Sequence, residues 1–431
     1  MKFVFLKYFF FIIFYNTIKS SPIQPETETT EYLHWDLNAN DFFFKSKKSY
    51  SENSWNNDFI KSDFKMISSF EDKFLVDKEV VNNGSAFIVE FYCHSSVEDN
   101  SKCLKAQKGF LSATERISSL IVINTPIVVQ ATFLSYCDVK SDCSSKILGQ
   151  AAPSSYFGAK FINQEQISSI PQALMKQLPK NNIPNYLQFD IAAQFNADAD
   201  FWFKGDPPIK TSQIDFEYCI THELIHGLGF DTHWTQFSSS YPQTTFKEEY
   251  LAPDVLVGID ENQNDRVLNF LPLTIFDKFG YDSLTSISLL DYANSILNFD
   301  IPVNLTLKKF LESFENSKEP FMQSVYVYQI VTSGERAVTF KNPHNDMYNL
   351  KLYTEKNYQK RSSLAHLDYD LYFQTPEFLM IPSVESFKGM TLDQIIDQNT
   401  KNGANGPHNV LGPLTIELMH ALGTATKKDF K

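Results

Sequence analysis

The run His222-Glu223-Leu224-Ile225-His226-Gly227-Leu228-Gly229-Phe230 holds the densest group of chemically useful side chains in the sequence. Two histidines four residues apart on a helix are offset by about 40°, so both imidazoles leave one face, as two ligands of one ion must. Glu223 is turned from that pair by about 100° and can hold a water on the ion without binding the ion itself. The chemistry this implies is hydrolysis by an activated water, with Glu223 as the base and Zn2+ as the ion. A purely structural zinc site is the poorer match, because such sites are closed and cysteine-rich, and no cysteine here has that spacing.

The elements around the motif must position these groups. Asp215, Phe216, Tyr218, Cys219, Ile220, Leu224, Ile225 and Leu228 give a helix with a thick, mostly apolar side. Gly227 and Gly229 follow the second histidine, so the helix is expected to stop near Gly229 and the chain to turn. A catalytic zinc takes a third protein ligand and keeps one position for water. The histidines outside the pair are His34, His94, His233, His344, His366, His408 and His420. A turn at Gly229 can bring His233 round to the ion, and the carboxylates of Glu248 and Glu249 are a further option. Asp231 and Asp368 are candidates to receive the other ring N–H of a ligating histidine.

HELIHGLGF resembles the zinc helix of the metzincin metallopeptidases, HExxHxxG. In most metzincins a third histidine stands three residues after the glycine; here that position is Thr232, and His233 comes one residue late. The chain is more similar to the leishmanolysin-like type, in which an insertion delays the third histidine until shortly before a methionine turn. His366 in Ala365-His366-Leu367-Asp368-Tyr369 precedes Phe378-Leu379-Met380 in that manner. The resemblance implies an α+β, metzincin-like zincin: a small twisted sheet, an HExxH helix, and a C-terminal subdomain bearing the third ligand and a Met-turn. It implies His222, His226 and His366 as ligands of one catalytic Zn2+, Glu223 as the catalytic base and Met380 as the structural methionine, with His233 as the alternative third ligand.

The rest of the sequence sets the context. Residues 1–20, with Lys2 ahead of an apolar Phe9–Phe14 run, read as a secretory signal peptide, the alternative being an uncleaved anchor. No later run is apolar enough to cross a bilayer, so a soluble, exported mature chain is expected. Residues 21–84 are a polar extension or propeptide. Residues 85–230 read as an N-terminal catalytic subdomain, 231–360 as an insertion and 361–431 as a C-terminal catalytic subdomain.

Strands are expected at Ala86–Tyr92, Pro126–Phe133, Tyr186–Phe195, Ser324–Val331, Ala337–Phe340 and Lys351–Tyr353. Helices are expected at Leu104–Leu120, Ser286–Leu297, Leu307–Phe314 and Leu411–Gly423. Asn196–Phe203 reads as an edge or a loop. The five cysteines suit an oxidising compartment: Cys93 with Cys103 and Cys137 with Cys143 can each close a small loop, leaving Cys219 buried, although other pairings are open. Sequons at Asn83 and Asn304 suit a glycoprotein. A net charge of −13 and the lack of a basic patch argue against a nucleic-acid partner. The expected activity is therefore a secreted zinc endopeptidase acting on protein or peptide, with a catalytically inactive zincin-fold binding or adhesion protein as the alternative.

Overall fold

The computed structural model describes residues 33–35, 79–83, 86–143, 146–160, 166–178, 185–237, 248–259, 265–302, 305–333, 338–342, 349–402 and 409–426. The expected leader, most of the polar extension and Asn304 lie outside them, as do Gly84 and Ser85 of the first sequon.

Alternation along two short runs builds the sheet that carries the site. On β2 (Phe87–Cys93) Phe87, Val89, Phe91 and Cys93 are buried, and on β3 (Ile127–Leu134) Ile127, Val129, Ala131 and Phe133 are buried. With β1 (Glu79–Asn83), β4 (Gly149–Pro153) and β5 (Ile191–Asn196) they form a five-stranded sheet in the order β1-β2-β3-β5-β4. Strands β2, β3 and β5 run parallel, and the two edge strands, β1 and β4, pair antiparallel. Parallel neighbours need a crossover. Between β2 and β3 it is helix α1 (Asn100–Leu120), capped by Asp99 and tied back to β2 by the Cys93–Cys103 disulfide.

Helix α2 (Phe216–Gly227) carries the motif and packs against α1 and the sheet. The ring of Phe216 sits 5.5 Å from that of Phe133, 5.4 Å from Phe195 and 6.4 Å from Phe110, joining strand, strand and helix at one point. Fully burying one such ring stabilises by roughly 1.5–3 kcal/mol. Ser112 and Arg116 of α1 both reach Glu217 of α2, and Arg116 also pairs with Asp393 at 2.6 Å.

The middle of the chain adds helices α3 (Leu289–Leu297), α4 (Leu307–Glu315) and α5 (Glu319–Thr332) and several short strand pairs. Helices α6 (Leu392–Asn402) and α7 (Pro413–Ala421) follow in the last part. One contiguous apolar core runs through all these segments, from Phe87 to Leu422. Among the described residues no helix is long and apolar enough to cross a membrane.

The fold is α+β, and it departs from the sequence reading in detail. Ser324–Val331 is not a strand but the body of α5. Its β-branched residues suggest a strand, yet Ser324, Val327 and Val331 fall on one buried helical stripe, Pro320 lies in the first turn of the helix, and burial overrides propensity. The strand expected from Tyr186 begins only at Ile191. After Asn196, which ends β5, only Phe201–Trp202 of the stretch up to Phe203 forms a strand, parallel to Ile214–Asp215. Cys137–Cys143 is the second disulfide, and Cys219 is free and buried.

Candidate metal centre

Helix α2 begins on Asp215, whose Oδ1 accepts the Glu217 N–H at 2.8 Å. It ends in a Schellman turn: the Gly229 N–H bonds the His226 carbonyl at 2.9 Å and the Phe230 N–H bonds the Ile225 carbonyl at 3.3 Å. That turn needs φ +108° at Gly229, a conformation open to glycine. Gly227 lies so close to the sheet that a Cβ there would sit 2.4 Å from Ile191 Cγ2. The helix therefore presses onto β5 at the level of the motif.

From this frame His222 and His226 project together, and His366 meets them from a loop far along the chain. The three Nε2 atoms form a nearly regular triangle, with edges of 3.1 Å (His222–His226), 3.2 Å (His222–His366) and 3.3 Å (His226–His366). A tetrahedral ion with metal–nitrogen bonds of 2.0–2.1 Å would hold its nitrogens about 3.3 Å apart.

The other ring nitrogens explain the orientation. His222 Nδ1 meets the Leu379 carbonyl at 2.6 Å, His226 Nδ1 the Phe230 carbonyl at 2.8 Å, and His366 Nδ1 the Ser362 carbonyl at 3.0 Å. A carbonyl only accepts, so each Nδ1 carries the proton and each Nε2 presents a lone pair to the centre. Three lone pairs in mutual contact have no hydrogen to share, and a cation is what satisfies them. Burial favours the neutral rings, pulling His222 down to about 3 and His226 to about 4, and it holds His366 well below the usual histidine range; neighbouring imidazoles add to the effect for His222 and His366. The group His222, His226 and His366 can thus hold a metal ion.

Glu223 turns from the triad toward the sheet edge, where its Oε2 accepts the Ala151 N–H of β4 at 2.7 Å. Burial raises its carboxyl to about 8 against the lowering pull of that bond. Met380 is fully buried at the end of a 3-10 turn, Phe378–Met380, and its carbonyl accepts the N–H of Leu367, the residue after His366, at 2.8 Å. Behind the turn, the Glu377 carboxylate accepts the Leu414 and Thr415 N–H groups and the Thr415 hydroxyl at the start of α7. Position 412 is glycine, and a Cβ there would lie 2.4 Å from that carboxylate.

Other candidate ligands are placed elsewhere. His233 is not in the group: its Nδ1–H donates to the Pro272 carbonyl at 2.7 Å, and its backbone N–H is held by Asp277 Oδ2 at 2.9 Å. Asp277 also takes the Thr232 hydroxyl, so the turn at Gly229 leads into this anchor and not back to the triad. Glu249 accepts from Gln236, Glu248 is exposed, and neither joins the group. Asp231 takes the Tyr156 hydroxyl, and Asp368 caps a short helix through the Leu371 N–H while pairing with Lys351 at 2.7 Å. The roles expected of those two aspartates fall to backbone carbonyls, which no side-chain pattern reveals. His94 bonds Ser96 and His420 lies 3.8 Å from Glu417, while His344 and His408 lie outside the described residues.

The family model described as SPBPB7E8-like matches residues 61–430. The uncharacterized protein PB7E8.01 of Schizosaccharomyces pombe is 26% identical over 376 residues, covering 81% of this chain. The chain spans 64% of the length of that relative. No solved structure matches. By the extent of the family match, the chain belongs to the SPBPB7E8-like family.

Proposed function

We propose that the chain is an exported zinc-dependent endopeptidase of the metzincin type, with His222, His226 and His366 as zinc ligands and Glu223 as general base. The observation that carries this reading is the convergence of three Nε2 lone pairs, two of them from the helix that also bears Glu223. When bound, zinc supplies Lewis-acid polarisation of the scissile carbonyl and a lowered water pKa. Glu223 takes the proton from the attacking water and delivers it to the leaving amine. β4 is an edge strand beside Glu223, so an extended peptide has a strand to pair with next to the base. The two disulfides support an oxidising compartment.

The test is turnover of a quenched peptide library by zinc-loaded wild type and Glu223→Gln. Glu223→Gln is expected to keep the metal and to lose at least about a hundredfold in kcat/KM. A metal-loaded wild type that cleaves nothing would instead favour an inactive binding protein with the same fold.

A further inference from the structure

We infer that Tyr218 is a positioning residue of the metal site, acting through the Leu379 carbonyl; this rests on the zinc reading above. Tyr218 lies one helical turn before His222, so the two side chains leave α2 on the same side. Its hydroxyl is buried and lies 3.3 Å from the Leu379 carbonyl and 3.4 Å from that of Phe378. His222 Nδ1–H donates to the same Leu379 oxygen at 2.6 Å. A carbonyl oxygen has two lone pairs and can serve both donors.

The rings reinforce the arrangement. Tyr218 stacks beside His222, with centroids 6.3 Å apart and planes 19° from parallel. On its other sides it meets Phe378 at 6.2 Å and Phe387 at 5.8 Å. One helix therefore grips the Phe378–Met380 turn twice, and the ligand's orientation depends on where that turn holds its oxygen. Without the Tyr218 hydroxyl, His222 alone would fix the Leu379 carbonyl. Partners that orient metal-bound histidines typically govern ten- to a hundredfold in metal affinity.

A purely structural hydroxyl would behave differently, and the chain contains a control. Tyr358 is similarly buried, and its hydroxyl donates to the Trp234 carbonyl at 2.6 Å. The experiment uses the full chain as wild type, Tyr218→Phe and Tyr358→Phe. It measures zinc affinity by chelator competition, the absorption bands of the cobalt-loaded protein, and melting of the metal-free protein. Tyr218→Phe is expected to bind zinc roughly ten- to a hundredfold more weakly and to shift the cobalt bands, with Tyr358→Phe matching wild type in both. Replacement of Tyr218 by p-aminophenylalanine, which keeps a donor at that place, is expected to recover the affinity and covers the case in which Tyr218→Phe does not fold. Wild-type affinity and spectrum in Tyr218→Phe, or no recovery with the amino analogue, would overturn this inference alone. A wild type that binds no zinc would overturn the metal reading and this inference with it.

Discussion

Two of the triad's histidines, His222 and His226, come from one turn of α2; the third, His366, sits in a loop between Gln359 and Met380. On the helix the spacing is set by backbone hydrogen bonds that any apolar amphipathic segment would make. In the loop it is set by contacts made at a distance. Leu364 N–H bonds the Tyr353 carbonyl at 2.9 Å, Tyr353 N–H bonds the His366 carbonyl at 2.7 Å, and Leu367 N–H bonds the Met380 carbonyl. Arg361 and Leu364 hold left-handed φ values of 67° and 68°, which cost roughly 1–3 kcal/mol each for residues other than glycine. The helix places its two histidines by local periodicity, whereas the loop places His366 because surrounding packing over-determines a strained path. The loop is therefore the part of the site more exposed to loss of packing.

Leu364, which is 2% exposed, anchors the loop in the core. Leu364→Ala keeps the strained backbone and removes its anchor, so a loss of roughly 2–5 kcal/mol is expected in urea unfolding, together with weaker metal retention. An unchanged midpoint would mean the loop holds itself.

Asp215 ties α2 to the last part of the chain: its Oδ1 caps α2 and its Oδ2 accepts the Leu392 N–H of α6 at 2.7 Å. Burial raises its carboxyl from 3.8 to about 6. The folded state then holds the proton more tightly than the unfolded chain does. Its contribution is full below about pH 4 and is lost as pH rises through about 6, an effect of about 2–3 kcal/mol. Urea unfolding of the metal-free protein at pH 4 and pH 7 should show this slope in wild type and not in Asp215→Asn. Equal slopes would mean the carboxyl stays ionised throughout.

On the helix side, Gly229→Ala should cost about 1–3 kcal/mol through its positive φ. Its Cβ would also lie 2.9 Å from Leu174 Cδ1. The Phe230 carbonyl that orients His226 follows directly, so zinc affinity should fall as well. A melting temperature and an affinity both equal to wild type would show that the turn is free to relax.

What was legible in the sequence follows the same division. His222, Glu223, His226 and the stop at Gly229 obey helical spacing and glycine chemistry, both local, and helix α2 falls where that pattern puts it. Strands β2 and β3 were legible as short apolar, β-branched runs, whereas α5 was misread because a β-branched run looks like a strand until its packing partners are known. His366 could be chosen only through a family resemblance, since nothing local separates it from His233. The carbonyls of Phe230, Ser362 and Leu379, and the Ala151 N–H on Glu223, belong to the backbone and leave no mark in side-chain type. Glu377 capping α7 and Asp215 bridging two helices join segments distant in sequence.

The most direct test of the triad is metal stoichiometry by mass spectrometry on purified wild type, His366→Ala and His233→Ala. One zinc per chain is expected in wild type and in His233→Ala, and none in His366→Ala. Zinc retained in His366→Ala and lost in His233→Ala would contradict the three-histidine site.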